Sequence, residues 1–421
     1  NEDLIHHLLT HILSIGRQIR HHRNIQNHRI RRSRLVRVDN TRQTKSVVAD
    51  AFQLLHNGFG LHRFGQRLSG TQYAQNFIDE LPQTDIEVKL DTMVIELTAD
   101  KTIYACNPQD GMMKIECGAV ILAMGCRERT ASQVLIYGTR PAGVMTAGSV
   151  QRYINMEGYL PGKTAVILGS GDIGLIMARR MTLEGIEVKG VYEVMENPGG
   201  LTRNIVQCLE EYNIRLHLAT TVTWVHGKDR VEAVTVAKVD GNRKPIPGTE
   251  ETIECDLLVL AVGLIPENEL SSKAGVLMDP KTRGPVVDQS FMTSLPGIFA
   301  CGNVSVVFDL VDYVSLSGEI AARGAMDFLA GRMNAAPRYV PVTPGDNVNF
   351  VVPQRVDLSR GGDMHCFLRV KHPAKKVELT ATRGDETLFH QRHQVVAPPE
   401  MLSAALPAGK LDGVRLDVKE V

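Results

Sequence analysis

The chain has 421 residues and carries 47 Lys plus Arg against 47 Asp plus Glu, so no overall field draws it to nucleic acid or to anionic lipid. That length exceeds one ordinary core and calls for two or three domains. Seven cysteines without framework spacing argue against a disulfide-stapled secreted scaffold and for a reducing cytoplasm, and no apolar run approaches the roughly 18 residues of a membrane span.

The first 53 residues differ in composition from everything after them. Leu4, Leu8, Ile12, Ile15 and Ile19 recur at helical spacing and predict one amphipathic helix. His6, His7 and His11 break this apolar stretch, which argues against a cleavable secretory signal. Asn1 is not an initiator residue, so a processed, trimmed or fragmentary start is expected. From Arg17 to Lys45 ten basic residues meet a single acid, Asp39, a composition that reads as unstructured. The histidines at 6, 7, 11, 21, 22 and 28 match no zinc spacing, and no metal site is expected.

From His56 onward short β-branched runs alternate with glycine turns and helical patterns, the texture of an α/β protein. Buried strands are predicted at 119–123, 164–168, 188–194, 257–261 and 297–300, with a helix over 173–183. Beyond Pro337 the pattern turns to alternating strands, including 377–381 and 387–396 around a turn at Arg383–Glu386, as in a small β-sandwich or barrel.

Between the strand at 164–168 and the helix behind it stands Gly169-Ser170-Gly171-Asp172-Ile173-Gly174. In that context the first glycine permits a tight turn, the second lets the backbone approach a diphosphate, and the third lets the helix pack on the strand. The helix-start amides then meet the diphosphate. Glu193 lies near the end of the next strand, where a carboxylate accepts from a ribose 2′-hydroxyl and repels a 2′-phosphate, so NAD is expected ahead of NADP. No arginine directly follows it to reverse that choice.

Further on, Ile298-Phe299-Ala300 leads into Gly302 and Asn303 at a turn ahead of a helix over 317–329. Thr293-x-x-Pro-Gly-Ile-Phe-Ala-Cys-Gly302 resembles the second flavin motif of the pyridine nucleotide-disulfide oxidoreductase superfamily. That motif normally ends Gly-Asp; Asn303 stands at the aspartate position, and its side-chain oxygen retains the capacity to accept a ribityl hydroxyl. Val120–Gly125 resembles the strand that leaves the flavin domain, and Asp256–Pro266, with Gly263, resembles the return. Within the superfamily, the runs 56–65, 123–129 and 199–208 resemble the flavoprotein subunits found beside glycerol-3-phosphate dehydrogenases, hydrogen cyanide synthase, opine oxidases and heterotetrameric sarcosine oxidases.

The resemblance implies an α/β fold with two Rossmann-like dinucleotide-binding domains plus a small C-terminal all-β domain. The flavin domain would span 54–155 and 266–332, the nicotinamide domain 156–265, and the β-domain 336–421. It implies FAD and NAD as cofactors, bound in part by Gly125, Gly263, Gly302 and Asn303. His56 and Asn57 are placed near the flavin as catalytic candidates, or else they cap a helix and turn into Gly58. Neither Cys-x-x-Cys nor Cys-x-x-x-x-Cys occurs, so dithiol exchange is excluded. The expected function is an FAD-dependent NAD(H) oxidoreductase subunit that exchanges electrons with a partner subunit or a small-molecule substrate. An amine- or opine-oxidising subunit, and a non-catalytic NAD-binding scaffold without flavin, stay open.

A flavin-adenine dinucleotide also needs a first glycine loop, before Leu54. Gly16 is the only glycine there, so no phosphate cradle of that kind can form. Three explanations stand: a non-native start such as an out-of-frame sequence, a genuine basic arm, or flavin binding through an unusual loop.

Overall fold

The computed structural model describes residues 58–333, 336–407 and 409–421, together with the backbone of Val36–Val38 and Asn57. The helix expected over 4–19, the N-terminal histidines, Asp39, the first flavin loop and His56 lie outside the described residues. The chain forms two compact units, one made of residues up to Cys126 with Pro266–Val421, the other of Arg127–Ile265. The fold is α/β, with Rossmann-like dinucleotide-binding parts and a C-terminal all-β region.

In the unit Arg127–Ile265 five parallel strands run in the order Val144–Thr146, Leu257–Leu260, Thr164–Leu168, Glu187–Tyr192, Leu216–His217. Strand alternation sorts the central side chains onto two faces. Ala165 and Ile167 pack with Leu175, Ala178 and Met181 of the helix Asp172–Leu183. Val166 and Leu168 pack with Val222, Val225, Val234 and Val236 of an antiparallel sheet. Both faces are covered, which is why Thr164–Leu168 reads as an unbroken apolar run. Residues 144–146 belong to this unit because Val144 to Thr146 register with Leu258 to Leu260.

In the other unit two parallel pairs stand out, Val36–Val38 with Glu87–Lys89 and Val120–Leu122 with Ile298–Ala300. The helix Val311–Leu329 begins six residues before the expected 317. Its first turn holds Asp312, whose polarity hides the helical period from the sequence. Small residues make its inner face: a Cβ on Gly324 would stand 2.8 Å from Phe299 and from the Ser290 carbonyl.

The C-terminal strands form a four-stranded sheet, Thr343–Pro344, Val414–Glu420, Ala374–Arg383 and Glu386–Val396, and a three-stranded sheet, Val348–Val352, Met364–Val370 and Leu402–Leu406. Their shared core includes Met364, Cys366, Leu379, Leu406 and Leu416. Phe367 points away from that core and joins Phe308 and Tyr313. Among the described residues no helix is long and apolar enough to cross a membrane, and no His/Cys/Asp/Glu group could hold a metal ion.

Candidate dinucleotide and flavin sites

The loop Gly169–Gly174 joins the central strand Thr164–Leu168 to the helix Asp172–Leu183. Gly169 has φ +102°, and a Cβ there would stand 2.2 Å from the Ala261 carbonyl. Gly174 packs the helix on the sheet, since a Cβ would meet the Gly169 carbonyl at 2.4 Å and the Ala261 Cβ at 2.9 Å. Gly171 is different: nothing lies within 4 Å of where its Cβ would be. The helix starts there with no side-chain cap, leaving N–H groups without intrahelical acceptors. Open space beside an uncapped helix start fits a dinucleotide diphosphate.

Gly169→Ala combines a steric clash with a disfavoured backbone, about 1–2 kcal/mol for the backbone alone. Calorimetry is expected to find the melting temperature lowered by about 5–10 °C; an unchanged value would remove the assigned constraint.

Glu193 is 7% exposed and its carboxylate is largely committed. Oε2 accepts from the Ser170 N–H at 2.9 Å and the Ser170 hydroxyl at 2.7 Å, and Oε1 accepts from the Met195 N–H at 2.9 Å. The residue therefore pins the glycine loop to the strand end, and one acceptor site on Oε1 remains. Sequence spacing located the residue but not these bonds. Gly125 and Gly263 have φ +70° and +99° and stand just before Arg127 and Pro266, where the chain passes from one unit to the other.

In the other unit Gly302 has φ +63° and donates its N–H to Ser317 Oγ at 2.8 Å. Asn303 Oδ1 accepts from the Phe308 N–H at 3.0 Å, so it shapes the turn 303–308 while keeping one lone pair. The helix Val311–Leu329 also starts without a side-chain cap. Beside that start Asp309 Oδ1 and Asp312 Oδ1 are buried without a partner among the described residues. Asp309 Oδ2 accepts from the Met401 N–H at 2.8 Å, and burial pushes the Asp309 carboxyl above its ordinary range. Asp312 Oδ2 accepts from the His62 N–H at 2.9 Å. Next along the helix, Tyr73 and Ser315 share a buried 2.5 Å hydrogen bond and Arg63 pairs with Glu319. Orphaned acceptors at an uncapped helix start fit the hydroxyl donors of a flavin's ribityl chain. Residues holding its diphosphate would lie before Leu54, outside the described residues.

The C-terminal β-region buttresses this corner. Phe367 contacts Phe308 and Tyr313 edge-on or tilted, with ring centroids 5.1 and 5.4 Å apart, and Arg369 donates to the Val307 carbonyl at 3.0 Å. Asp309 and Asp312 follow the turn at 302–303 in sequence, but nothing in their spacing or in that of Phe367 assigned them a role, because their contacts join residues some 60 to 250 positions apart. Asn57 falls in the short strand Asn57–Phe59, opposite Ser69. All seven cysteines are free, and burial pushes the Cys301 thiol up to about 12, so it packs rather than reacts.

A family model of pyridine nucleotide-disulphide oxidoreductases matches residues 23–321. The chain belongs to that family. Its members are FAD- and NAD(P)-dependent oxidoreductases. Among curated relatives, the chain is 25% identical over 208 residues to hydrogen cyanide synthase subunit HcnB of Pseudomonas protegens, covering 45% of this chain and 43% of that protein. It is 24% identical over 224 residues to one of the subunits of opine oxidase from Agrobacterium tumefaciens, 50% and 44% of the two chains. A Methanocaldococcus jannaschii NADH oxidase is 25% identical over 241 residues, 54% and 49%. The matched part of the chain thus spans less than half the length of these relatives. Among solved structures, T. acidophilum thioredoxin reductase superposes with a TM-score of 0.53 at 21% identity, over 71% of this chain and 98% of that one. This likeness is one of fold.

Proposed function

We propose that this chain is an FAD-dependent NAD(H) oxidoreductase subunit that exchanges electrons with a partner subunit or small acceptor and uses no redox disulfide. The observation that carries the reading is the loop Gly169–Gly174, open at Gly171 and closed at Gly169 and Gly174, in a chain of this family. When bound, NAD(H) and FAD supply hydride exchange. The protein's own residues bind and orient: the Gly171 opening and the helix-start amides receive the diphosphate, and Glu193 offers its remaining acceptor to the ribose. That carboxylate favours NAD over NADP.

On the flavin side Gly302, Asn303 and the start of the helix Val311–Leu329 hold the ribityl end, with Asp309 and Asp312 as acceptors. We assign His56 and Asn57 to the same neighbourhood, where a side chain could relay a proton. Seven free cysteines without a Cys-x-x-Cys pattern support electron exit by a route other than dithiol exchange, and a cytoplasmic location. Two of the relatives are by name components of larger enzymes, a synthase and an oxidase, which supports a partner protein; a small-molecule substrate is the other expected contact. Opine or amine oxidation at the flavin is the second reading, favoured by the opine oxidase relative, and turnover of an opine without NADH would select it.

The test is the absorbance spectrum of the purified full chain after incubation with FAD and gel filtration. Bands near about 375 and 450 nm, characteristic of oxidised flavin, are expected to co-elute with the protein. A colourless protein would instead support the non-catalytic NAD-binding scaffold.

A further inference from the structure

The run 199–208 belongs to neither the glycine loop nor the flavin corner, yet its first six residues lie directly on the dinucleotide loop. Gly199 donates its N–H to Ser170 Oγ at 2.8 Å, and that hydroxyl in turn donates to Glu193. Leu201 N–H and Asn204 Nδ2 both donate to a single oxygen, Asp172 Oδ1, at 2.8 and 2.6 Å. Contact is tight enough to demand glycine at 200, where a Cβ would meet Leu175 Cδ1 at 2.6 Å, the Ser170 carbonyl at 2.9 Å and Asp172 Oδ1 at 3.0 Å. At 199 a Cβ would lie 3.5 Å from the Gly171 nitrogen. The segment therefore walls one side of Gly171 and leaves open the side to which its missing Cβ would point.

Asp172 presents a difficulty that this wall resolves. It sits in the first turn of a helix whose N–H groups have no side-chain cap. A free carboxylate there would compete with an incoming diphosphate for those amides and repel it electrostatically. The two donors from 201 and 204 occupy Oδ1 and draw the side chain toward the wall.

We infer that Asp172 and Asn204 form a latch that holds Gly199–Leu201 as the outer wall of the dinucleotide loop, which makes Asn204 a positioning residue for NAD(H). Losing the latch frees both the wall and the carboxylate. The inference rests on the reading of Gly169–Gly174 as the NAD(H) loop.

NADH titration of the full chain by fluorescence, run well below the unfolding temperature, tests it. Asn204→Ala is expected to raise the NADH Kd about tenfold, with the circular dichroism spectrum unchanged. Asn204→Asp, which sets two carboxylates face to face, is expected to weaken binding by at least as much. The swapped pair Asp172→Asn with Asn204→Asp rebuilds the hydrogen bond in reverse and is expected to recover binding to within about threefold of the original. A purely structural role would lower the melting temperature of Asn204→Ala and leave the Kd in place, which would overturn the latch. So would a swapped pair that binds no better than Asn204→Asp, and this comparison remains decisive if Asn204→Ala does not fold. An unmodified chain that binds no NADH would instead overturn the reading of the loop itself.

Discussion

Gly171→Trp is expected to weaken NADH binding by at least about 100-fold, equivalent to about 2.7 kcal/mol, while shifting the melting temperature by less than about 2 °C. The two halves of this expectation have separate physical sources. Gly171 has φ −62° and ψ 162°, a conformation open to any L-residue, and nothing stands within 4 Å of its Cβ direction. An indole is therefore tolerated by the fold and lodges where the diphosphate must approach. The neighbouring glycines would give the opposite result, because a side chain at Gly169 or Gly174 strikes the protein's own backbone. Fluorescence titration with NADH and calorimetry on the same preparation check both halves. Undiminished binding would contradict the assignment of the loop.

Glu193→Ala is expected to cost about 3 kcal/mol, because three donors lose a charged acceptor, one of them an amide in a fully buried residue, Ser170. The melting temperature should fall by roughly 10 °C. Glu193→Gln keeps one acceptor oxygen and turns an amide group toward donors, so an intermediate loss is expected. Cofactor choice is the second readout. Removing the carboxylate takes away both the ribose acceptor and the repulsion of a 2′-phosphate, and the ratio of NADPH to NADH dissociation constants should move toward one. Unchanged stability would sink the pinning role, and an unchanged ratio would sink the ribose role. The two outcomes are independent.

The glycine loop at 169–174 was legible in the sequence because its constraints are local. Strand, glycine spacing, helix and acid follow one another within some 30 residues, and Gly169 and Gly174 sit where short-range contacts demand glycine. Glu193 was located by spacing, yet its bonds to Ser170 were not, since a capping contact between strand end and loop leaves no periodic trace. The flavin corner was half legible. Gly302 and Asn303 stood out as a motif, whereas Asp309 and Asp312 gained meaning only when Met401 and the backbone of His62 were brought to them across the chain. The long helix was placed too late because Val311–Leu316 mixes an acid and a tyrosine into its first turns. Phe367 reads as an ordinary strand residue, and only the packing shows that it leaves its own sheet's core to support the loop at 307–313. The run 199–208 stood out in sequence only by its resemblance to the flavoprotein subunits, and its contact with Asp172 was not visible there.

Anaerobic addition of NADH to the flavin-loaded full chain tests the central claim most directly. Absorbance near about 450 nm is expected to bleach with the unmodified chain and to stay unchanged in Gly171→Trp at the same NADH concentration. A flavin band that NADH leaves untouched in the unmodified chain would contradict it.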